Sequence, residues 1–185
     1  MTIWQPTASS NSSVLSFKEM RDWDKIEAAL GQPSETNWVP LEAKVGRGRP
    51  KHFVYMGGLL VADEEAWKLL RTHIQQEAEG LRILVNGASF YIFNVLNAVD
   101  CLDMEQSRFF RTPYDTGCGE ILHAVHREEK LAGHFLFTLP QKPKEVLATS
   151  AFKELVEQHQ LKNITFQEPA SPLVGLMKLM QQNGA

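Results

Sequence analysis

Cysteine and histidine side chains, which can bind metals or act in nucleophilic catalysis, cluster in the second half of the chain. They are Cys118, His123, His126 and, across a predicted hairpin, His134. Because side chains alternate along a strand, however, His123 and His126 point to opposite faces. The sequence also lacks cysteine pairs at metal spacing and an H-E-x-x-H motif. We therefore interpret the histidines as strand residues on a partly exposed face, and a small hydrolase using Cys118 with His123 or His126 stays a second alternative.

Three carboxylates, Asp100, Asp103 and Glu105, form a second group that could do acid/base or cation chemistry. The Asp-x-Asp-x-Asp-Gly series of a calcium loop is missing, which argues against a calcium site. Asp103 can instead cap a short helical turn, with Gln106 reaching back to it. We predict no catalytic, cofactor or metal site, and we expect Asp103, Glu105 and Arg108 to be rim contacts to a partner protein.

A basic loop at residues 46–51 reads Gly-Arg-Gly-Arg-Pro-Lys. Its Arg-Gly-Arg-Pro core resembles an AT-hook, in which Arg47 and Arg49 would enter a narrow A·T minor groove. Hook proteins usually carry several copies in strongly basic segments, whereas this copy is single. We favour a solvated or partner-contacting loop, and a DNA-associated protein is the first alternative.

Composition and charge fit a globular protein and exclude several classes. The chain has 185 residues, of which 43% are hydrophobic and 22% charged, so it can form a single domain with a sizeable core. A net charge of -3 gives no basic field for nucleic acid. No apolar run of about 18 residues could span a membrane. A polar N-terminus without a secretory signal, and only two cysteines, indicate a cytoplasmic protein; the oligomeric state is left open.

The stretch from Leu81 to Ser107 carries the clearest local pattern. Two apolar runs, Leu81–Val85 and Phe90–Leu96, are joined through Asn86-Gly87. An Asn-Gly pair adopts positive φ at little cost, so this order predicts a β-hairpin. The second run is too apolar for a surface strand, and we expect it to be covered on both faces.

Helical spacing of apolar residues predicts four further elements. These helices lie near Phe17–Leu30, Asp63–Gly80, Ser150–His159 and Ser171–Met180. Further strands are predicted at 41–45, 52–56, 59–61, 120–127, 131–139, 145–148 and 164–166, with 120–127 paired to 131–139 and a surface loop at 141–144.

These elements predict an α+β fold with a mainly antiparallel sheet flanked by three or four helices. Residues 1–13 are predicted to be a loose N-terminal arm, because they are rich in Ser, Thr and Asn. Residues 14–185 are predicted to form one domain.

Two pieces of the chain resemble a known family. Residues 99–107 follow the pattern V-D-x-L-D-x-x-x-S directly after an apolar strand, and residues 152–166 read FKELVEQHQLKNITF. Their order resembles the bacterial polymorphic-toxin immunity proteins catalogued as immunity family eleven, formerly a domain of unknown function. The resemblance covers roughly residues 20 to 168.

This resemblance implies a non-enzymatic protein that binds and neutralises a cognate toxin protein made by the same cell. The family offers no catalytic residues to carry over to this chain. Tight inhibitors often combine a charged surface, which steers association, with a few buried anchors that supply affinity.

Overall fold

The computed structural model describes residues 2–17, 19–111 and 119–169. These residues contain three sheets and three α-helices. The strands are β1 (Ile3–Ala8), β2 (Val14–Phe17), β3 (Leu41–Arg47), β4 (Phe53–Met56), β5 (Leu59–Asp63), β6 (Ala78–Val85), β7 (Ala88–Val95), β8 (Arg108–Phe110), β9 (Glu120–His123), β10 (Leu136–Leu139), β11 (Lys142–Thr149) and β12 (Ile164–Gln167). The helices are α1 (Met20–Ala29), α2 (Glu64–Ile74) and α3 (Ser150–Gln158), with short 3-10 helices at Glu35–Asn37 and Glu128–Leu131. No helix within these ranges is long and apolar enough to cross a membrane.

Six strands close into a barrel in the order β2-β3-β6-β7-β5-β4. Two neighbouring pairs, β2 with β4 and β3 with β6, are parallel, and the others are antiparallel. An antiparallel sheet, β10-β11-β1-β12, and a ribbon of β8 and β9 complete the fold. The predicted α+β class with a mainly antiparallel sheet is confirmed.

The β6–β7 hairpin lies inside the barrel wall, as predicted. Asn86 and Gly87 have φ values of 51° and 83°, which is the geometry of a tight two-residue hairpin turn. Alternation along β7 sends Phe90 and Ile92 into the barrel interior and Phe93 outward, where it is 1% exposed. The strand is therefore covered on both faces.

Helix α1 packs on the apolar cluster that the barrel encloses. It contributes Ile26 and Ala29 to this cluster. Gly31, with a φ of 75°, follows the helix at the position where a left-handed residue ends it. Phe17, which helical spacing had assigned to this helix, instead belongs to β2. The helix predicted near Ser171–Met180 lies outside the described residues.

Helix α2 covers the outer face of the barrel, and α3, which contacts β11, contributes to the same apolar cluster. The Trp67 ring on α2 is 2% exposed and lies 5.0 Å from the Phe93 ring, edge to face. The predicted helix end at Gly80 is wrong, because α2 ends at Ile74 and Gly80 belongs to β6. A Cβ at Gly80 would lie 2.5 Å from Trp67, so glycine here permits the ring to pack on the strand.

Strand β1 pairs on both of its edges, so the loose arm predicted for residues 1–13 is wrong over Ile3–Ala8. Ile3 lies opposite Thr149 of β11, and Pro6 lies opposite Phe166 of β12. Pairing with two strands from the far end of the chain orders this polar segment. Such distant partners cannot be identified from local composition.

The strands predicted at 120–127 and 131–139 are also arranged differently, because they do not pair with each other. Strand β9 ends at His123 and pairs with β8, whereas β10 pairs with β11. The 3-10 helix Glu128–Leu131 lies between β9 and β10 in the chain, and its last residue, Leu131, is completely buried. The predicted 141–144 loop is shorter, because β11 already begins at Lys142.

A buried carboxylate, Glu77, joins the barrel to the four-stranded sheet. Glu77 precedes β6, is 7% exposed, and accepts hydrogen bonds from the backbone N–H groups of Phe135 at 3.1 Å and Leu136 at 2.7 Å. The His134 Nδ1 lies 3.0 Å from the same carboxylate. A buried charge needs such partners, so this contact fixes where β10 meets the barrel.

Candidate partner-binding site

The predicted contact residues lie on two separate elements. Asp103, Glu105 and Arg108 share one short stretch that includes a turn and the start of β8. Arg47 is the last residue of β3, and Arg49 lies in the loop after it. We call residues 103–110 the display segment.

Asp103 organises the turn of the display segment. Its Oδ1 accepts hydrogen bonds from the backbone N–H groups of Glu105 and Gln106, both at 3.0 Å. The Gln106 side chain donates to Oδ2 at 3.3 Å. The hydrogen bond from Gln106, helped by that from Glu105, lowers the pKa of Asp103. Asp103 therefore caps the backbone of this turn as predicted, but the reciprocal bond differs, because the Gln106 side chain donates to the Asp103 carboxylate and the Asp103 backbone N–H donates to Val125.

The display segment is fixed to the chain between β9 and the second 3-10 helix. Asp103 donates its backbone N–H to the Val125 carbonyl at 2.8 Å, and Val125 donates to Ser107 Oγ at 2.9 Å. Arg127 donates its backbone N–H to the Cys101 carbonyl at 2.7 Å. Asp103 and Ser107 of the V-D-x-L-D-x-x-x-S pattern therefore have structural roles.

An apolar cluster anchors the display segment from below. Its buried members include Cys101, Leu102 and Ile121, which meet the sheet residues Phe137 and Leu147. Cys101 is completely buried, and this burial raises the pKa of its thiol to about 11, as is typical of a packed core cysteine.

The display segment exposes both apolar and charged side chains. Met104 is 42% exposed and Phe110 is 48% exposed. Glu105 and Arg108 are also exposed, whereas Phe109 turns inward between its neighbours. Large apolar side chains ringed by charges are typical of a protein–protein contact. Sequence reasoning did not identify Met104 or Phe110, because their exposure depends on contacts with distant residues.

Two carboxylates near this segment, those of Asp100 and Asp103, form ion pairs with basic side chains. Arg127 Nε lies 3.7 Å from Asp103, and Lys130 Nζ lies 3.9 Å from Asp100. In the described ranges, no group of three or more His, Cys, Asp or Glu residues could hold a metal ion.

The histidines occupy three different environments. His123 is exposed on β9 opposite Arg108, whereas His126 pairs with Leu102. Burial, and secondarily the charge of His123, lower the pKa of His126. His134 instead contacts Glu77, so the structure does not bring it to the other two. Cys118 lies outside the described residues.

The basic loop is tied to the connection between β1 and β2. Arg47 Nη2 donates to the Ser10 carbonyl at 3.4 Å. Gly48 has a φ of 78°, and a Cβ there would lie 2.9 Å from Ser13 Oγ. Arg49 is exposed. Arg47 is thus part of a sheet and not of an extended hook.

Comparison with known proteins finds a similarity over part of this chain. A family model described as "Immunity protein family (Imm11)" matches residues 84–171. The matched region begins at the end of β6 and includes the display segment, β9 to β12 and α3. A comparison with curated proteins finds no match. Over residues 84–171, the chain matches the immunity protein family that the sequence pattern suggested.

Proposed function

We propose that this protein is an immunity protein that binds a cognate bacterial toxin and neutralises it without catalysis. The match of residues 84–171 to the immunity protein family is the observation that carries this proposal. In this proposal the protein acts in the cytoplasm of the toxin-producing bacterium, as part of a polymorphic toxin system used in competition between bacteria.

The display segment supports direct binding as the means of neutralisation. Its turn is fixed by Asp103 and Ser107, so little conformational entropy is lost when a partner binds. Met104 and Phe110 can supply apolar anchors, and Glu105 and Arg108 can supply the polar rim.

The histidines of the hydrolase alternative differ in their surroundings. His123 is exposed on β9, whereas His126 pairs with Leu102 and His134 contacts Glu77. Cys118 lies outside the described residues. The proposal of a non-enzymatic inhibitor therefore rests on the family match.

Co-expression with the adjacent gene tests the proposal. We expect the neighbouring gene to encode a protein with a toxic C-terminal domain, and we expect this chain to restore growth when both are expressed. A chain carrying Phe110→Asp and Met104→Asp should restore growth less well than wild type at equal protein level. A neighbour without toxicity, or growth arrest that the wild-type chain does not relieve, would contradict the proposal.

A further inference from the structure

A cluster of exposed basic side chains surrounds the connection between β3 and β4. Together with one exposed aromatic residue it forms what we call the basic surface, which consists of Arg47, Arg49, Lys51, Tyr55 and Lys162. The net charge of -3 gives the whole protein no basic field, so the positive charge is concentrated locally. The proposed toxin contact uses residues 103–110 and leaves this surface unassigned.

Hydrogen bonds hold distant parts of the chain together at the basic surface. Asn163 Nδ2 donates to the Lys51 carbonyl at 2.9 Å, and the Asn163 carbonyl accepts the Ser9 N–H at 2.9 Å. The Lys162 carbonyl accepts the Phe53 N–H at 3.3 Å. Lys51 and Lys162, which are far apart in sequence, therefore lie on neighbouring backbone.

Strand register places Tyr55 near Arg47. Val14 of β2 lies opposite Arg47 of β3 and also opposite Tyr55 of β4. The two residues are thus separated by two strand spacings, about 10 Å. Tyr55 is 47% exposed, although the residues on either side of it in β4 are completely buried. An aromatic ring is therefore open to a ligand that also contacts the arginine.

The cations of the basic surface are not neutralised by the chain. Among the described residues, none of the four basic side chains has a carboxylate within 4.0 Å. The two nearby carboxylates contact His52 instead: Asp63 accepts its backbone N–H at 2.6 Å, and Glu65 lies 4.0 Å from its Nε2. Four positive charges beside these two negative charges leave the surface positive.

Unpaired cations beside an exposed aromatic ring suit single-stranded nucleic acid. Arginine and lysine pair with phosphates, and an aromatic side chain offers a face on which an unpaired base stacks. The bases of a duplex already stack on one another, so Tyr55 would add little to duplex binding. The sheet position of Arg47 likewise argues against the extended backbone of an AT-hook.

We propose that the basic surface binds single-stranded nucleic acid, with phosphates paired to its cations and one base stacked on Tyr55. This binding goes beyond toxin neutralisation and does not depend on it. Because phosphates and ring faces occur in every nucleotide, we expect binding to tolerate any base sequence.

Fluorescence anisotropy of a labelled oligothymidylate of about 12 nucleotides, titrated with the full chain at a series of salt concentrations, tests this binding. Each phosphate contact contributes about -0.7 to the slope of the logarithm of the association constant against the logarithm of salt concentration. Four contacts predict a slope of about -3 for wild type. Arg47→Ala/Arg49→Ala should reduce the slope to about -1.5 and raise Kd at least about tenfold at about 50 mM salt.

Two further variants separate stacking from charge. Tyr55→Ala should raise Kd at least about fivefold without changing the salt slope, because it removes a ring and no charge. Arg71→Ala/Arg82→Ala is the matched control, since it removes two exposed arginines from α2 and β6, outside the basic surface. Its Kd should stay within about twofold of wild type at about 0.1 M salt, where distant charges are screened.

The outcomes that would overturn the proposal are distinct. Wild type that does not bind oligothymidylate at about 50 mM salt overturns it. So does equal weakening by Arg47→Ala/Arg49→Ala and by the matched control, which would show a dependence on net charge alone. Duplex DNA that binds as tightly as oligothymidylate, with no effect of Tyr55→Ala, overturns the single-strand assignment. Polyglutamate that competes as well as oligothymidylate assigns the surface to an acidic protein instead.

A folding check keeps the test decisive. Circular dichroism should show wild-type structure for each variant. If Arg47→Ala does not fold, Arg49→Ala/Lys51→Ala decides, because both side chains are exposed in the loop after β3. Failure of oligothymidylate binding leaves the toxin-binding proposal intact, since that proposal is tested with the toxic domain and residues 103–110.

Discussion

At the residue scale, Asp103 shows which side-chain roles can be predicted from sequence. Its partner Gln106 is three positions away, so capping chemistry was sufficient to predict it, whereas the hydrogen bond from Glu105 was not predicted. The exposure of Met104 and Phe110 depends instead on the cluster beneath the display segment and on β9. Contacts with distant residues decide exposure, and local patterns do not contain them.

Asp103 should make stability depend on pH. Its pKa is lowered in the folded state, mainly by the backbone N–H of Gln106. Ionised Asp103 therefore stabilises the fold above the unfolded-state pKa of about 4, and this contribution is lost as pH falls through the lower, folded-state pKa. We expect Asp103→Asn to flatten the loss of stability below about pH 5, measured by urea unfolding at a series of pH values.

The control for this experiment is Asp24→Asn, which removes an exposed carboxylate on α1. This variant should keep the acid dependence of wild type. An Asp103→Asn curve that runs parallel to wild type over the whole pH range would contradict the assigned role.

At the element scale, the β6–β7 hairpin could be predicted from neighbouring residues, whereas the role of Gly80 could not. The hairpin turn depends on Asn86 and Gly87 themselves, and it was predicted correctly. Gly80 looked like a helix end, because glycine often follows a helix. The need for glycine comes instead from Trp67, which packs across it from α2.

Gly80→Ala should destabilise the protein through this ring. The new Cβ would lie 2.5 Å from Trp67 and 2.9 Å from Tyr91, whose rings stack with centroids 5.4 Å apart. Such overpacking costs about 1–3 kcal/mol in the free energy of unfolding. Chemical denaturation would measure the loss.

A double-mutant cycle with Trp67→Leu isolates the cause. Because a smaller side chain leaves room for the Cβ, Gly80→Ala should cost less than half as much in the Trp67→Leu background. An equal cost in both backgrounds would show that the clash with Trp67 is not responsible.

At the scale of the whole molecule, contacts between the two ends of the chain set the architecture. Strand β1 pairs with β11 and β12, and Glu77 reaches the backbone of β10. Neither contact has a local signature, so the sequence predicted the class and most elements but not the barrel, its closure or the place of β1. The family match covers only residues 84–171, and so it does not include β1 or Glu77.

Glu77→Ala should weaken the junction between barrel and sheet. The change leaves the backbone N–H groups of Phe135 and Leu136 without their carboxylate partner. We expect a loss of about 2–5 kcal/mol in the free energy of unfolding, and a smaller loss for Glu77→Gln, measured by urea denaturation. Glu157→Ala, at an exposed position on α3, is the control and should change it by less than about 0.5 kcal/mol. A Glu77→Ala protein as stable as this control would contradict the assigned role.

On the scale of the whole molecule, the V-D-x-L-D-x-x-x-S pattern at residues 99–107 forms a structural scaffold. Asp103 and Ser107 fix the chain, and Leu102 is buried beneath it. The exposed side chains of Met104, which lies between Asp103 and Ser107, and of Phe110, which follows Ser107, are available to a partner. In the proposed function, the scaffold holds the display segment rigid and the exposed side chains set the toxin that is bound.

Direct binding of the toxic domain tests this account most directly. Isothermal titration calorimetry should show a complex with the wild-type chain and at least about a tenfold higher Kd for the Met104→Asp/Phe110→Asp variant, because each aspartate removes an apolar anchor. Tyr55→Asp is the matched control, since Tyr55 is 47% exposed on β4, outside the display segment, and Kd should be unchanged. No binding by wild type, or equal Kd for all three proteins, would contradict the claim that this chain neutralises a toxin through residues 103–110.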